Sequence, residues 1–202
     1  MSTVLIQDLH ELRRRLAPHL GGAVKAIVFG SAARGEEDEW SDLDLVVVAK
    51  TSRPFFERFK DFAGLYDVWP RLDLLVYTPE EFQRKAARAE AQRWLAQAES
   101  DLGFAKLGVD GGYHAQACFM CQQAAEKALK VLDTLAPRHP ALTALREAAQ
   151  QLDQYYVPTR YPNGLPSGTP AEVFTKRQAS EAVALAARIL DQARSTIASR
   201  PP

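Results

Sequence analysis

The stretch VFGSAARGEEDEWSDLDLVVV, residues 28–48, joins two apolar runs through a charged loop. The first run stops at Gly30-Ser31, and the second opens with Asp42 and Asp44, one residue apart. Residues i and i+2 of a strand point to the same face, so the two carboxylates project together. Two carboxylates held this close repel each other unless a cation lies between them. Because hard oxygen ligands select Mg²⁺ or Mn²⁺, the pattern predicts a divalent metal site at the mouth of a strand.

A third acidic residue supports the same interpretation. Asp73 interrupts the apolar run RLDLLVY, residues 71–77, which is typical of a strand. A buried charge at this position would be costly without a partner. Three convergent carboxylates can hold two divalent ions, which suits in-line phosphoryl or nucleotidyl displacement. Asp42, Asp44 and Asp73 are therefore the candidate catalytic residues and metal ligands.

The turn Gly30-Ser31 supplies the second part of the candidate site. It lies where the strand AVKAIVF, residues 23–29, is expected to turn into a helix. Free backbone N–H groups at such a turn favour phosphate oxygens, and glycine allows close approach to the backbone. The GxxxxGK[ST] pattern of a P-loop is absent from the sequence, so a phosphate contact of another type is predicted.

The first half of the chain is predicted to be an α/β unit. Leucines at helical spacing indicate an amphipathic helix over 3–17, and three phenylalanines between 55 and 62 are spaced for one face of another. The motif TPEE, residues 78–81, is a helix start with a capping box. Short apolar runs predict strands at 23–29, 43–48 and 71–77.

The second half has the composition of a helical bundle. Beyond residue 86 the strand signals vanish and alanine becomes frequent. Two long helices are predicted on either side of Gly111-Gly112, and two more flank the Pro- and Gly-rich segment 157–170. We therefore predict an α+β fold, with a small mixed β-sheet domain over 1–86 followed by an all-α, up-and-down helical bundle over 87–202.

Three motifs of the first half carry a resemblance to a known family. In combination, GSAARG, SDLDLVV and LDLLVY resemble the minimal form of the nucleotidyltransferase superfamily of DNA polymerase β, over about residues 24–80. That family uses Gly-Ser, ten or so residues, Asp-x-Asp and a later strand aspartate. Here ten residues separate Ser31 from Asp42.

The resemblance implies a role for each residue of these motifs. Gly30 and Ser31 would bind the triphosphate of a nucleoside triphosphate, and Asp42 and Asp44 would bind the metal ions. Asp73 would bind one metal ion and act as a base toward the acceptor hydroxyl. The implied cofactor is Mg²⁺ or Mn²⁺, and the implied substrate is ATP.

Arg34, which follows the Gly-Ser turn, has two interpretations. By the same resemblance it would touch the nucleotide phosphates. Alternatively, it pairs with Glu36, Glu37 or Asp38 on its own loop.

The second half resembles another family. RWLAQAESDLGFAK, GGYHAQACFMCQQAAEKALKVL and YYVPTRYPNG are similar to the HEPN domain over about residues 90–197. This helical bundle is often paired with minimal nucleotidyltransferases in prokaryotes and is related to the helical domain of kanamycin nucleotidyltransferase. The resemblance implies a homodimer formed through the helical half.

One motif of that family is missing. HEPN ribonucleases carry Arg, four to six residues, then His, and neither His114 nor His139 has an arginine at that spacing. Arg14 and His19 have the spacing but lie in the other half of the chain. RNA is therefore a less favoured partner than a nucleotide.

Composition excludes some classes of protein. Lys+Arg and Asp+Glu are both 25, so no global basic field favours nucleic acid. No apolar run approaches the roughly 20 residues of a membrane span, and the N-terminus lacks the features of a signal peptide, so we expect a cytoplasmic protein with no membrane partner. Cys118 and Cys121 fit a reducing compartment. With no second pair in the sequence, burial in the core is the expected role, ahead of zinc or redox chemistry.

Three functions remain open from the sequence. The first is Mg²⁺-dependent transfer of a nucleoside monophosphate, AMP from ATP, to a hydroxyl of a protein or small molecule. The second is a nucleotide-binding regulatory or toxin–antitoxin-type module without ribonuclease activity. The third is an aminoglycoside-modifying enzyme, which would need an acidic acceptor pocket that the sequence does not reveal. The three aspartates favour the first, because a pure binding module has no need of all of them.

The acceptor site has only one sequence candidate. Arg160 and Tyr161 lie in the longest irregular segment of the helical half, whose prolines restrict its freedom. We predict that Arg160 or Tyr161 helps to line the acceptor or nucleotide cleft. The alternative is that this segment only buttresses the bundle.

Overall fold

The computed structural model describes residues 9–36, 41–135 and 140–199. The chain folds into two compact units, Met1–Arg84 and Lys85–Pro202. Three sequence predictions fall outside the described residues: the start of the first helix before Leu9, the loop acids Glu37 and Asp38, and His139. Within the described ranges, no helix has both the length and the apolar character that crossing a membrane requires.

The first unit combines short helices with a sheet. In chain order its elements are α1 (Leu9–Leu16), a 3-10 helix (Ala17–His19), β1 (Ala23–Phe29), α2 (Gly30–Arg34), β2 (Leu43–Ala49), a second 3-10 helix (Phe55–Phe62), α3 (Leu65–Val68) and β3 (Leu72–Tyr77). The three predicted strands are confirmed within a residue at each end.

The phenylalanine-rich segment differs from the prediction. It winds as a 3-10 helix, in which Phe62 is buried while Phe55 and Phe59 are exposed. A 3-10 helix has three residues per turn, so residues four apart do not lie on one face as they would in an α-helix. The predicted helix is therefore present, but its 3-10 winding does not give the three phenylalanines the common face that α-helical spacing predicts.

The sheet of the described residues has three strands in the order β1-β2-β3. β1 runs antiparallel to β2, and β2 runs parallel to β3. Side chains alternate along the central strand, so Leu43, Leu45 and Val47 are fully buried on one face. Asp44, between two of these leucines, emerges on the opposite face and is half-buried.

The second unit is helical. Its long first helix, α4 (Pro79–Asp110), begins six residues before the boundary between the units, and α5 (His114–Leu135), α6 (Pro140–Asp153), a 3-10 helix (Pro162–Gly164), α7 (Pro170–Val173) and α8 (Lys176–Ala198) follow. α5 is the most buried helix and packs against α6 and α8. Alanine fills much of this core, and its small side chain lets helix axes approach closely. The predicted fold class, α+β with a small mixed sheet followed by helices, is confirmed.

Candidate nucleotide and metal site

The register of the parallel strands brings two of the predicted aspartates together. The Cα of Asp44 on β2 pairs with the Cα of Asp73 on β3, and also with that of Phe29 on β1. Adjacent strands lie about 4.8 Å apart, and directly paired residues face the same side of the sheet. The carboxylates of Asp44 and Asp73 therefore emerge side by side from one face.

Asp42 lies just before β2, two residues from Asp44, and is exposed. In the described part of the chain, no three His, Cys, Asp or Glu side chains already form a group that could hold a metal ion. The convergence of Asp42, Asp44 and Asp73 into one ligand set stays a prediction. What the strand pairing contributes is a neighbouring pair, Asp44 and Asp73, with Asp42 at the entrance to the same strand.

The Gly-Ser turn closes directly onto this pair. Gly30 has a φ of 69°, in the left-handed region that favours glycine. A Cβ atom at Gly30 would collide with a carboxylate oxygen of Asp44. The sequence therefore needs glycine here for two reasons, the backbone conformation and the space taken by the aspartate. A ligand held by the turn would lie against the carboxylate pair.

The backbone that follows Gly30 suits an acceptor of hydrogen bonds. Ser31 lies in α2, which is only five residues long, and is half-buried. The first N–H groups of any helix have no partner within the helix, so they can donate to oxygens of a bound phosphate. This geometry is consistent with the predicted roles of Gly30 and Ser31.

Arg34 takes up the second of its two predicted arrangements. Its Nε donates to Oε2 of Glu36 at 2.6 Å. Both side chains of this ion pair are about 60% exposed, at 60% and 61%. An exposed pair of this kind contributes only about 0–1 kcal/mol, so a phosphate can displace Glu36 at little cost.

The donor set can be tested against the implied metal. Asp42 and Asp73 are exposed and Asp44 is half-buried, so water reaches the site. Mg²⁺ usually keeps several waters and is held by one or two carboxylates together with substrate phosphates. An open, all-oxygen pair beside the Gly30-Ser31 turn fits Mg²⁺ or Mn²⁺, which Asp44 and Asp73 would hold with help from Asp42.

Sequence reasoning missed one residue that supports the strand of Asp73. Arg58 is buried at 8% exposure and donates to the Val76 carbonyl of β3 at 3.3 Å. Its Nε donates to the carbonyl of Arg53 at 3.0 Å. Its Nη1 and Nη2 each donate to one carboxylate oxygen of Glu81, at 2.5 and 3.1 Å respectively. Arg58 thereby ties the end of β3 to the start of α4. No pattern identifies it, because it stands in the charged and aromatic run RPFFERFK.

Glu81 is the acidic half of this link. It completes the predicted capping box, accepting from the N–H of Thr78 at 2.9 Å. The hydrogen bond from Arg58, followed by that from Thr78, holds the pKa of Glu81 below its ordinary value. Glu81 is therefore a charged structural partner.

Arg160 and Tyr161, the predicted acceptor residues, lie in the helical unit. The guanidinium of Arg160 lies 4.2, 4.9 and 5.1 Å from the ring centres of Tyr156, Phe119 and Tyr161. Its Nε also donates to the carbonyl of Tyr156 at 3.1 Å. These contacts are those of a residue that buttresses the bundle. A role in acceptor binding stays a prediction.

The two cysteines have the expected structural role. Cys118 and Cys121 are fully buried on α5, and burial raises the pKa of each thiol to about 12. A thiol with this pKa is almost entirely protonated at neutral pH and is a poor nucleophile and metal ligand.

Comparison with known proteins gives the following matches. The family model for the nucleotidyltransferase domain matches residues 9–143, more than half of the chain. The model for the HEPN domain matches residues 131–195. No match was found among curated proteins. The division into domains at 1–86 and 87–202 stays a prediction, since the two family matches overlap inside the helical unit.

Two solved structures are similar to part of the chain. TT1696 from Thermus thermophilus is 39% identical over 53% of this chain and 98% of its own, with a TM-score of 0.47. ST0689, described as an archaeal HEPN homologue, is 36% identical over 54% of this chain and 98% of its own, with a TM-score of 0.45.

Proposed function

The chain belongs to the nucleotidyltransferase domain family, and we propose that it transfers a nucleoside monophosphate from a nucleoside triphosphate, ATP, to a hydroxyl acceptor in a Mg²⁺-dependent reaction. One observation carries the proposal. The carboxylate of Asp44 lies beside Asp73 and directly against Gly30, which supports a shared site for the candidate metal ligands and the Gly-Ser turn. The acceptor is a protein or a small molecule bearing a hydroxyl group.

In this reaction the acceptor oxygen attacks the α-phosphorus. A new P–O bond forms to the acceptor, and the bond from the α-phosphorus to the bridging oxygen breaks. The electron pair of that bond leaves with pyrophosphate. Asp73 accepts the hydroxyl proton, since its exposed carboxylate is accessible to an incoming acceptor.

The chain's own residues position the triphosphate. The backbone of Gly30 and Ser31 donates to phosphate oxygens, and Arg34 exchanges Glu36 for phosphate. Negative charge from Asp42, Asp44 and Asp73 lies on one side of the bound triphosphate. A cation bound between these carboxylates would orient the triphosphate. When bound, Mg²⁺ would neutralise the phosphate charge and stabilise the pyrophosphate leaving group.

The direct test follows the label from each triphosphate. The full chain is incubated with Mg²⁺ and ATP, GTP, CTP or UTP carrying the label at either the α- or the γ-phosphate, together with a cell extract as acceptor source. We expect the α-label of ATP on an acceptor and the γ-label in pyrophosphate. Asp44→Asn and Asp73→Asn should each abolish both signals. Release of the γ-label as inorganic phosphate, with no α-label transferred, would indicate a hydrolase instead.

A second candidate function is a nucleotide-binding regulatory module of the toxin–antitoxin type, favoured by the HEPN match over residues 131–195. Such a module would bind ATP and Mg²⁺ without turnover. The same experiment separates the two, because label that stays on ATP while binding is saturated supports the regulatory function.

The oligomeric state belongs to the same proposal. We propose that the chain is a homodimer formed through its helical half, whose alanine-rich helices permit close packing. Mass measured by sedimentation at micromolar concentration tests this.

A further inference from the structure

The helical unit contains a groove that the transfer reaction does not use. It has a volume of 510 Å³ and lies between α5 and α6. Its apolar lining, which we call the floor, includes the buried Ala125 and Leu152, and its acidic residues Glu126 and Asp153 are exposed. The lining residues are Gln122, Ala125, Glu126, Leu129, Ala149, Leu152, Asp153 and Tyr156. The volume is in the range of small-molecule sites, about 300–1,000 Å³.

Two carboxylates of the groove converge on one buried amide. Gln122 is only 5% exposed, and its Nε2 donates to Oδ1 of Asp153 at 3.3 Å and to Oε2 of Glu126 at 3.5 Å. Gln123 adds a further weak hydrogen bond to the same Glu126 oxygen at 3.4 Å. Both acids are exposed, so they present negative charge to whatever enters the groove.

Neither carboxylate forms an ion pair with another residue of 9–36, 41–135 and 140–199. The neighbouring Lys127 is occupied elsewhere, by Asp101 at 2.9 Å. The side-chain donors to these two carboxylates are neutral amides at 3.3 to 3.5 Å, although a charged donor would bind each carboxylate more strongly.

An aromatic wall completes the groove. Tyr156 is 42% exposed and lines it, while Arg160 at 4.2 Å and Phe119 at 6.3 Å hold its ring in place. A fixed ring beside carboxylates favours a ligand that joins a positive charge to an apolar body. The apolar floor, formed by Ala125, Leu129 and Leu152, would cover that body.

We propose that this groove is a binding site for a small organic ammonium ion. The ammonium group donates to Glu126 and Asp153, where it replaces the weak contacts of Gln122, and the apolar part of the ligand lies on the floor beside Tyr156. The groove lies wholly within the helical unit, so the proposal does not depend on the transfer reaction.

The test compares two probes of nearly equal shape on the full chain. Phenethylammonium carries the positive charge, and 2-phenylethanol replaces it by a neutral hydroxyl. Binding is measured by calorimetry and located by amide chemical shifts of ¹⁵N-labelled protein at low salt. We expect phenethylammonium to bind at least tenfold more tightly than 2-phenylethanol and to shift the amides of Gln122, Glu126 and Asp153.

Variants assign the binding to the groove. The double variant Glu126→Gln with Asp153→Asn keeps the side-chain shapes and removes both charges. It should weaken the binding of phenethylammonium at least tenfold. Ala149→Phe keeps both charges and fills the apolar part of the groove, so it should also weaken phenethylammonium binding at least tenfold. Glu147→Gln, an exposed acid of α6 outside the groove, should leave affinity unchanged. Equal binding of the two probes, no measurable binding of phenethylammonium, or full affinity in both groove variants would overturn the proposal.

Discussion

Gly30→Ala tests the geometry of the candidate site, because the structure supplies a matched control. Gly30 and Gly35 both have a φ of 69°; Gly30 is the first residue of the short helix α2, and Gly35 directly follows its last residue. An added Cβ at Gly30 would strike the Asp44 carboxylate, whereas one at Gly35 would meet nothing within 4 Å. The two substitutions therefore share the backbone strain and differ in the contact with Asp44.

The magnitudes follow from this difference. Placing alanine in the left-handed region costs about 1–2 kcal/mol at either position. Only Gly30→Ala also forces the carboxylate of Asp44 to move, which should add a further 1–2 kcal/mol or so, in the range of coupling between residues in contact. A displacement of about 1 Å in a catalytic site can lower the rate by about 100-fold. Gly30→Ala should therefore lose most transfer activity, while Gly35→Ala keeps it.

The assay is a double-mutant cycle that combines Gly30→Ala with Asp44→Ala. The free energy of unfolding of each variant is measured by urea denaturation. Trp69 packs against the core of the first unit, so its fluorescence reports the unfolding of that unit once Trp40 and Trp94 have been replaced by Phe in every variant. Removal of the carboxylate should reduce the cost of Gly30→Ala to that of Gly35→Ala. If Gly30→Ala destabilises the protein equally with and without the Asp44 side chain, the carboxylate does not lie over the turn and the site geometry is wrong.

Three further predictions concern other parts of the molecule. Arg58→Met should lower the free energy of unfolding by about 2–3 kcal/mol, which is less than for a fully buried pair because 29% of the Glu81 side chain is exposed. The pKa of Glu81 is lowered in the folded state, so the stability that Glu81 contributes is present above its ordinary pKa of 4.5 and is lost as the pH falls below that value. Glu81→Gln and the wild type should therefore differ in stability at pH 7 and become equally stable in acid. The thiols of Cys118 and Cys121, with pKa values raised to about 12, should not react with a thiol reagent at pH 8 until urea unfolds the helices. Rapid labelling of the native protein would contradict this and show that α5 opens readily. Tyr161→Phe, which keeps the ring against Arg160, should lower transfer per folded molecule without changing the melting temperature if Tyr161 binds the acceptor, whereas unchanged transfer would leave it only a structural role.

Much of this architecture follows from local sequence patterns. Short apolar runs mark β1, β2 and β3, and the capping box at Thr78–Glu81 marks the start of α4. The spacing of Asp42 and Asp44 predicts a shared face from strand period alone, but β2 begins at Leu43, so for Asp42 this stays a prediction. These features need no knowledge of distant contacts.

Other features depend on pairing between distant segments. The position of Asp73 beside Asp44 is fixed by the register of β2 and β3, which no local pattern specifies. The role of Arg58 depends on Glu81, 23 residues away. The groove likewise joins Gln122 to Asp153, 31 residues away on another helix, so its acidic character is not visible in either segment alone.

The central claim is that Asp44 and Asp73 together hold a divalent cation against a nucleotide triphosphate. Calorimetric titration of the full chain with a non-hydrolysable ATP analogue, in Mg²⁺ and in excess chelator, tests it most directly. We predict binding that requires Mg²⁺ and that is lost in the isosteric double variant Asp44→Asn with Asp73→Asn, because removing both charges leaves the cation without its protein ligands. Equal affinity in chelator, or undiminished Mg²⁺-dependent binding by the double variant, would contradict the claim.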